Sequence, residues 1–451
     1  MRDAGRRGSL TQRSASMGDA DQATVRGPTP KPIPRPREVP GFRDLGPEEA
    51  EALRATQEAI LAEMRRWGYR FVVTPSVESL DVLDLGLEAE QRRRLFKFSD
   101  GDGRLLALVG EKTVPVARLV AGKLRQAPLP LRLCYAAPVL ANDPARFDHR
   151  RETYQVGAEL IGASGAAADA EVIALAVRCL EEAGLNRFQV DVGHSEFFQG
   201  LAVRLPAEVR AAVKAALQAR DFVALEAELE KMALRSAEQE LLLRFPTLRG
   251  GPEILEAAGK LVRNRRSERA LEELARVREL LVAYGLGDAV QLDLGAIRDF
   301  DYYTGIIFEG FGPELGRPLA QGGRYDGLLA RFGRPAPATG FVLQLELACE
   351  VLERAGRAPA PPRLEAAVAW GRAGQKPALQ LGASLRLFGM RAVVDTQPRG
   401  IGAARAWATA LGARNLVFCE GPERVAWSPG PGRMRRLPPE QVVARLAVTL
   451  A

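Results

Sequence analysis

Four short runs in this chain carry side chains whose types and spacing suit the grip of a small charged molecule. The first is Tyr154-Gln-Val-Gly-Ala-Glu159. If extended, it puts Gln155, Gly157 and Glu159 on one face, because residues two apart on a strand point the same way. That face offers an amide, a gap and a carboxylate, while Tyr154, Val156 and Ala158 suit a core on the other side. A strand facing solvent would show the same alternation. The second run, Arg298-Asp-Phe-Asp-Tyr-Tyr-Thr-Gly305, brings together a guanidinium, two carboxylates and the phenols of Tyr302 and Tyr303. Arginine presents a planar fork that meets a carboxylate through two bonds; a salt-bridged turn is the alternative use. Glu111-Lys-Thr113 sets an acid and a hydroxyl two residues apart, a pattern that also caps helices. Gly322-Gly-Arg-Tyr-Asp-Gly327 adds Tyr325 and has the glycines of a phosphate-cradling loop, without the lysine or the spacing of the familiar nucleotide loops. An arginine for a carboxylate and acids for an ammonium describe equipment for a small zwitterion.

Other chemistries are poorly supplied. His149 and His194 are the only histidines, and neither stands beside a serine or cysteine motif that would make a nucleophilic triad. Cys134, Cys179, Cys349 and Cys419 are scattered singly, which argues against a disulfide framework or a zinc site and for reduced thiols in the cytoplasm. The formal charge of +7 invites a nucleic-acid partner, but residues 1–38 hold eight Lys and Arg against four Asp and Glu. The basic excess therefore sits mostly in a Pro- and Ser-rich tail. No apolar run approaches the length of a membrane span, and no secretory signal is expected.

The elements that must position these runs follow from periodicity. Pro47 opens a helix whose Leu53, Ile60, Met64 and Trp67 recur at helical spacing up to Gly68. Tyr69–Val73 reads as a strand, and Phe96–Phe98 and Leu105–Val109 as a hairpin around Asp100-Gly-Asp-Gly103. Leu131–Leu140 and Glu152–Leu160 are two strands joined by a polar loop, residues 166–184 a helix, and Phe188–Val192 a strand, with His194 closing it. Residues 206–288 are almost wholly helical apart from a break near Arg249-Gly-Gly-Pro252. Strands return at Val290–Leu294 and Ile306–Phe311. We expect a disordered tail over 1–38, a core over 39–354 with its helical insertion at about 206–288, a linker at 355–363, and a small C-terminal α/β domain over 364–451.

Taken together, the runs resemble the class II aminoacyl-tRNA synthetases, and specifically the histidyl-tRNA synthetase family, from about Pro40 to Leu352. Gly41-Phe-Arg-Asp44 resembles the opening motif, Glu111-Lys-Thr113 the Glu-x-Thr that meets the amino-acid ammonium, and Gln155-Val-Gly-Ala-Glu159 the end of motif 2. Arg298–Gly305 and Gly322–Leu328 resemble the two histidine-specific signatures. The resemblance implies an α/β (α+β) fold built on a mixed, mainly antiparallel sheet flanked by helices. It also implies a histidine pocket in which Arg298 takes the carboxylate. Glu111, Thr113 and Gln155 surround the ammonium, Glu159, Tyr303 and Tyr325 address the imidazole, and Tyr302 supports them. Val109 stands where the family often has an arginine.

Two departures bear on activity. The family's Phe-Arg-x-Glu, which grips the ATP α-phosphate, is replaced by Leu140-Ala-Asn-Asp143, and the arginine ending its Gly-Leu-Glu-Arg segment by Leu347. The lost clamp positions are thus Ala141 and Leu347, and removing a donor that stabilises a transition state costs ~10²–10³ in rate. The combination is similar to the regulatory subunits of ATP phosphoribosyltransferase, a branch of the same family, as are Gly193-His-x-x-x-Phe198 and Thr113–Arg118. That resemblance implies a non-catalytic chain without cofactor. It would self-associate as a dimer, join the short catalytic subunit in a hetero-octamer of four chains each, and sense histidine. Residues 363–451 faintly resemble an anticodon-binding domain, but without a basic face that would make tRNA an expected partner. A divergent histidyl-tRNA synthetase that still activates histidine with ATP is the alternative.

Overall fold

The computed structural model describes residues 38–143, 150–203, 205–219, 221–230, 236–295, 303–313, 315–421, 424–430 and 432–448. Arg298, Tyr302, His149 and all but the last residue of the expected tail lie outside them.

Helix α1 (Pro47–Arg66) starts where Pro47 has no N–H to leave unpaired, with Glu48 and Glu49 in its first turn and Arg65 and Arg66 in its last. Gly68 takes a φ of 82° just past its end. The following strand, β1 (Arg70–Phe71), is shorter than the sequence suggested, since Pro75 soon removes a donor. A three-stranded sheet comes next: β2 (Val77–Ser79), then helices α2 (Leu80–Gly86) and α3 (Ala89–Arg93), then β3 (Lys97–Ser99) and β4 (Leu105–Leu108), ordered β2-β4-β3. The β3–β4 turn is the expected one, with Asp100 Oδ1 accepting from the backbone N–H of Asp102 and Arg104. Strand β2 and helices α2 and α3 have no counterpart in the sequence reading, being too short for periodicity to reveal.

Helix α4 (Thr113–Ala121) leads to the long strands β5 (Leu131–Leu140) and β6 (Glu152–Ile161), then α5 (Ala166–Glu182), β7 (Gln189–His194) and α6 (Ser195–Ala202). The helical insertion comprises α7 (Ala207–Ala219), α8 (Phe222–Glu230), α9 (Ser236–Arg244), the two-residue β8 (Arg249–Gly250), α10 (Glu253–Leu261) and α11 (Arg265–Ala283). Strands β9 (Val290–Asp293), β10 (Ile306–Phe311), β11 (Pro318–Arg324) and β12 (Ala338–Gln344) complete the main sheet, with α12 (Leu328–Arg331) and α13 (Leu345–Arg354) around the last of them. The sheet order is β1-β5-β6-β12-β11-β10-β7-β9-β8, antiparallel except for the β1–β5 and β7–β9 pairs.

The sheet's two faces are covered differently. On the back, α1, α5, α11 and α13 bury Val156, Ala158, Leu160, Val192, Phe308, Phe341 and Leu343 in the main core. On the front, α2, α4 and α12 cover only the part that carries Leu133, Tyr135, Ile161 and Ala338. Strand alternation divides the residues between them, so the central strands are mainly apolar on the back, where Arg324 and Thr339 are the polar exceptions, and mixed on the front.

Past α13 lies a second, five-stranded sheet of order β14-β13-β15-β16-β17. Its strands are β13 (Ala366–Trp370), β14 (Ala392–Val394), β15 (Asn415–Cys419), β16 (Val425–Pro429) and β17 (Arg435–Leu437), with helices α14 (Gln375–Leu387), α15 (Ile401–Ala410) and α16 (Pro439–Val448). Its first three strands run parallel, with the run of buried side chains typical of strands covered on both faces. No helix among the described residues is long and apolar enough to cross a membrane.

Candidate functional site

The front face of the main sheet gathers most of the described candidates around Glu159. Strand register places Glu159 opposite Leu133 on β5 and Gly340 on β12, with Gly340 in turn opposite Gly323 on β11. One step along, Gly157 lies between Tyr135 and Val342, and beyond that Gln155 lies opposite Gln344. The alternation expected for the Gln155–Glu159 run is present, and the glycines provide its room. A Cβ on Gly340 would overlap the Glu159 carboxylate, and one on Gly157 would collide with the Tyr135 phenol.

Glu159 is 1% exposed, yet hydroxyls surround it. Thr113 Oγ1, in the first residue of α4, donates to its Oε1 at 3.0 Å. Tyr325 donates its hydroxyl to Oε2, and the Tyr135 hydroxyl also bonds to the carboxylate. Burial nevertheless dominates and pushes Glu159 up to about 8, with the three hydroxyls pulling the other way and nearby Glu111 adding to the rise. The Tyr135 phenol, itself buried, is pushed well above the usual range, chiefly by desolvation and then by the Glu159 charge.

Glu111 does what a helix cap does. Its two carboxylate oxygens accept the backbone N–H of Thr113 and Val114, each at 2.9 Å, which orders the first turn of α4 and aims Thr113 at Glu159. Burial raises this carboxyl as well, against the pull of those two bonds. The intervening Lys112 is buried and turned away, its Nζ donating to the Pro75 carbonyl at 3.1 Å. The Tyr303 ring lies over Gly323, where an added Cβ would come within 2.9 Å of it, in the same row as Gly340 and Glu159. Val109 is fully buried.

The glycine-rich run from Gly322 to Gly327 is not a phosphate loop. Gly322, Gly323 and Arg324 belong to β11 in the middle of the sheet. Arg324 is buried and ion-paired with Asp169 at the start of α5, at 2.9 Å, and with Asp326. Asp326 also accepts the Ala338 N–H. This network fixes the turn that delivers Tyr325. His194 closes β7 as expected and caps α6 as well, its Nδ1 accepting from the Glu196 N–H at 3.1 Å and its Nε2 facing Glu273.

The residues at the expected clamp positions lie at the other end of these strands. Ala141 follows β5, its N–H donating to the Arg151 carbonyl at 2.8 Å. Leu347, on the first turn of α13, is 5% exposed and part of the main hydrophobic core. Its neighbour Glu346 accepts the Tyr154 N–H, which ties α13 to β6. Among the described site residues, Thr113, Glu159, Tyr303 and Tyr325 come together; Gln155 shares their face two rungs away, and Glu111 joins through the cap. Sequence reasoning missed Tyr135. Only its place opposite a glycine could have marked it, and that needs the strand register.

A family model described as histidyl-tRNA synthetase matches residues 41–347. An ATP phosphoribosyltransferase regulatory subunit from Moorella thermoacetica is 46% identical over 328 residues, 72% of this chain and 84% of that protein. The chain belongs to this regulatory-subunit family. A second regulatory subunit, from Desulforamulus reducens, is 39% identical over 384 residues, 85% of this chain and 95% of its own. A Bacillus halodurans structure described as an ATP phosphoribosyltransferase regulatory subunit/histidyl-tRNA synthetase superposes with a TM-score of 0.77 at 31% identity, covering 87% of this chain and 100% of that one. A Nostoc histidyl-tRNA synthetase reaches the same TM-score at 19% identity, a likeness of fold. The regulatory-subunit family thus carries the class II synthetase fold expected from the motifs.

Proposed function

We propose that this chain is the non-catalytic, activating subunit of an ATP phosphoribosyltransferase and makes that enzyme sensitive to histidine. In this reading it binds the short catalytic subunit, four chains of each kind, through an assembly founded on a dimer of its own. Histidine occupies the pocket of Glu111, Thr113, Gln155, Glu159, Tyr303 and Tyr325, joined by Arg298 for the carboxylate and by Tyr302. No aminoacylation is expected of it.

The observation that carries this reading is the contrast between the two ends of the sheet's central strands. A buried carboxylate with its hydroxyl partners is kept, while Leu347, in place of a phosphate-gripping arginine, is absorbed into the core. Charge-assisted hydrogen bonds worth about 1.5–3 kcal/mol each are enough to hold an amino acid. Making an adenylate further requires donors on the phosphates. The relatives' names supply the class of partner.

Mixing the chain with a short-form catalytic subunit and following phosphoribosyl-ATP formation tests the reading. A large gain in rate, reversed by histidine, is expected; no gain sinks it. Histidine-dependent exchange of pyrophosphate into ATP by the chain alone would instead favour a divergent synthetase.

A further inference from the structure

Thr113, Tyr135 and Tyr325 reach Glu159 from three elements, but they are held in different ways. Thr113 sits on the first turn of a helix, and Tyr325 on a turn just after β11. Tyr135 stands in the middle of the ten-residue strand β5, 3% exposed. Its phenol fills the gap that Gly157 leaves between Gln155 and Glu159, and its hydroxyl bonds to Glu159 with Thr113 alongside. It lies under the site, where sheet hydrogen bonds on both sides of the strand fix its place.

We propose that Tyr135 is a positioning residue of the pocket, acting through Glu159: it aims the carboxylate and favours its ionised form, so that Glu159 can accept a proton-bearing group of the ligand. The inference rests on the functional reading above and names a residue which that reading does not use. A carboxylate stripped of water needs donors to stay charged, and a hydroxyl donated to the charged form favours it. The titratable groups around Glu159 are Glu111 at the α4 cap, Tyr325 after β11, Tyr135 on β5 and Tyr303 beside it, while Tyr69, in the core behind the sheet and bonded to Glu171, feels only its charge. Burial has already moved Glu159 to about 8, so losing one donor shifts its charge within an accessible range.

Tyr135→Phe removes the hydroxyl and keeps the ring. Calorimetric titration of the full chain with L-histidine between pH 6.5 and 9 is expected to show affinity rising as Glu159 ionises. In Tyr135→Phe the midpoint moves up by about one unit, so binding is ~10-fold weaker near pH 7.5 and converges with wild type towards pH 9. Gly157→Ala, which displaces the phenol, is expected to give the same upward shift; if it fails to fold, Tyr135→Phe carries the test. A loss by the same factor at every pH, or no loss, overturns the proposal. If wild type binds no histidine at any pH, the functional reading falls, and ligand-free protein decides the role of Tyr135. There the isotope-edited infrared band of the Glu159 carboxyl, identified by its absence in Glu159→Gln, should titrate at higher pH in Tyr135→Phe. An unmoved titration overturns the proposal.

Discussion

At the Ile161 end of the β5–β6 pair, Glu159 is buried among Thr113, Tyr135 and Tyr325, while at the Glu152 end Ala141 follows β5 and Leu347 is packed into the main core. The first group is interlocked. Removing any one hydroxyl leaves a buried carboxylate short of a donor, at a cost of about 1–3 kcal/mol. The second group is not, because an alanine and a core leucine need nothing from their neighbours. One end of the strand pair can therefore change without disturbing the other.

Restoring an arginine at the clamp should break this contrast first. Leu347→Arg places a guanidinium among Leu345, Ala348 and Val351, and is expected to lower stability by about 3–5 kcal/mol in denaturant unfolding. It should restore no pyrophosphate exchange, alone or with Ala141→Arg. Stability at the wild-type level would mean that this end still has a polar cavity.

The pH dependence of stability sharpens the other end. Glu159 rises from 4.5 to about 8 on folding because burial disfavours its charge. Its contribution is therefore full below pH 4.5 and is lost as pH climbs through about 8. Unfolding of the ligand-free chain should show a decline of roughly 2–4 kcal/mol across that window. Glu159→Gln should flatten it, and a decline unchanged in Glu159→Gln would place the titrating group elsewhere.

The smallest effect concerns a residue that belongs to neither end as described. Arg298→Ala is expected to weaken the histidine response by ~10-fold, the loss of a charge-assisted pair, with subunit association nearly unchanged. Inhibition curves and sedimentation of the mixed complex check this; equal losses in both would count against a carboxylate grip.

Much of this arrangement was legible in advance. The β5 and β6 spans, the helix from Pro47 and the helical stretch with its break near Arg249 follow hydrophobic period and turn residues, which are local properties. So does the shared face of Gln155, Gly157 and Glu159. The run at Gly322 misled because glycines suggest loops. Here they thin a central strand so that the Phe308 and Tyr303 rings can lie against it, a demand made by neighbouring strands. Strands β2 and β17 were not anticipated: three residues carry no usable period, and no Asp-Gly turn flags them as one does β3.

The sequence by itself determined which residues face the same way along each strand, and its motifs named the family. It could not say that Glu159 is capped by a third hydroxyl, which of its two uses Glu111 takes, or that Leu347 is swallowed by the core. Those facts depend on which strand lies beside which and in what register. Register is set by the packing of the whole sheet, so a contact between Tyr135 and Glu159 exists only once β5 and β6 are paired.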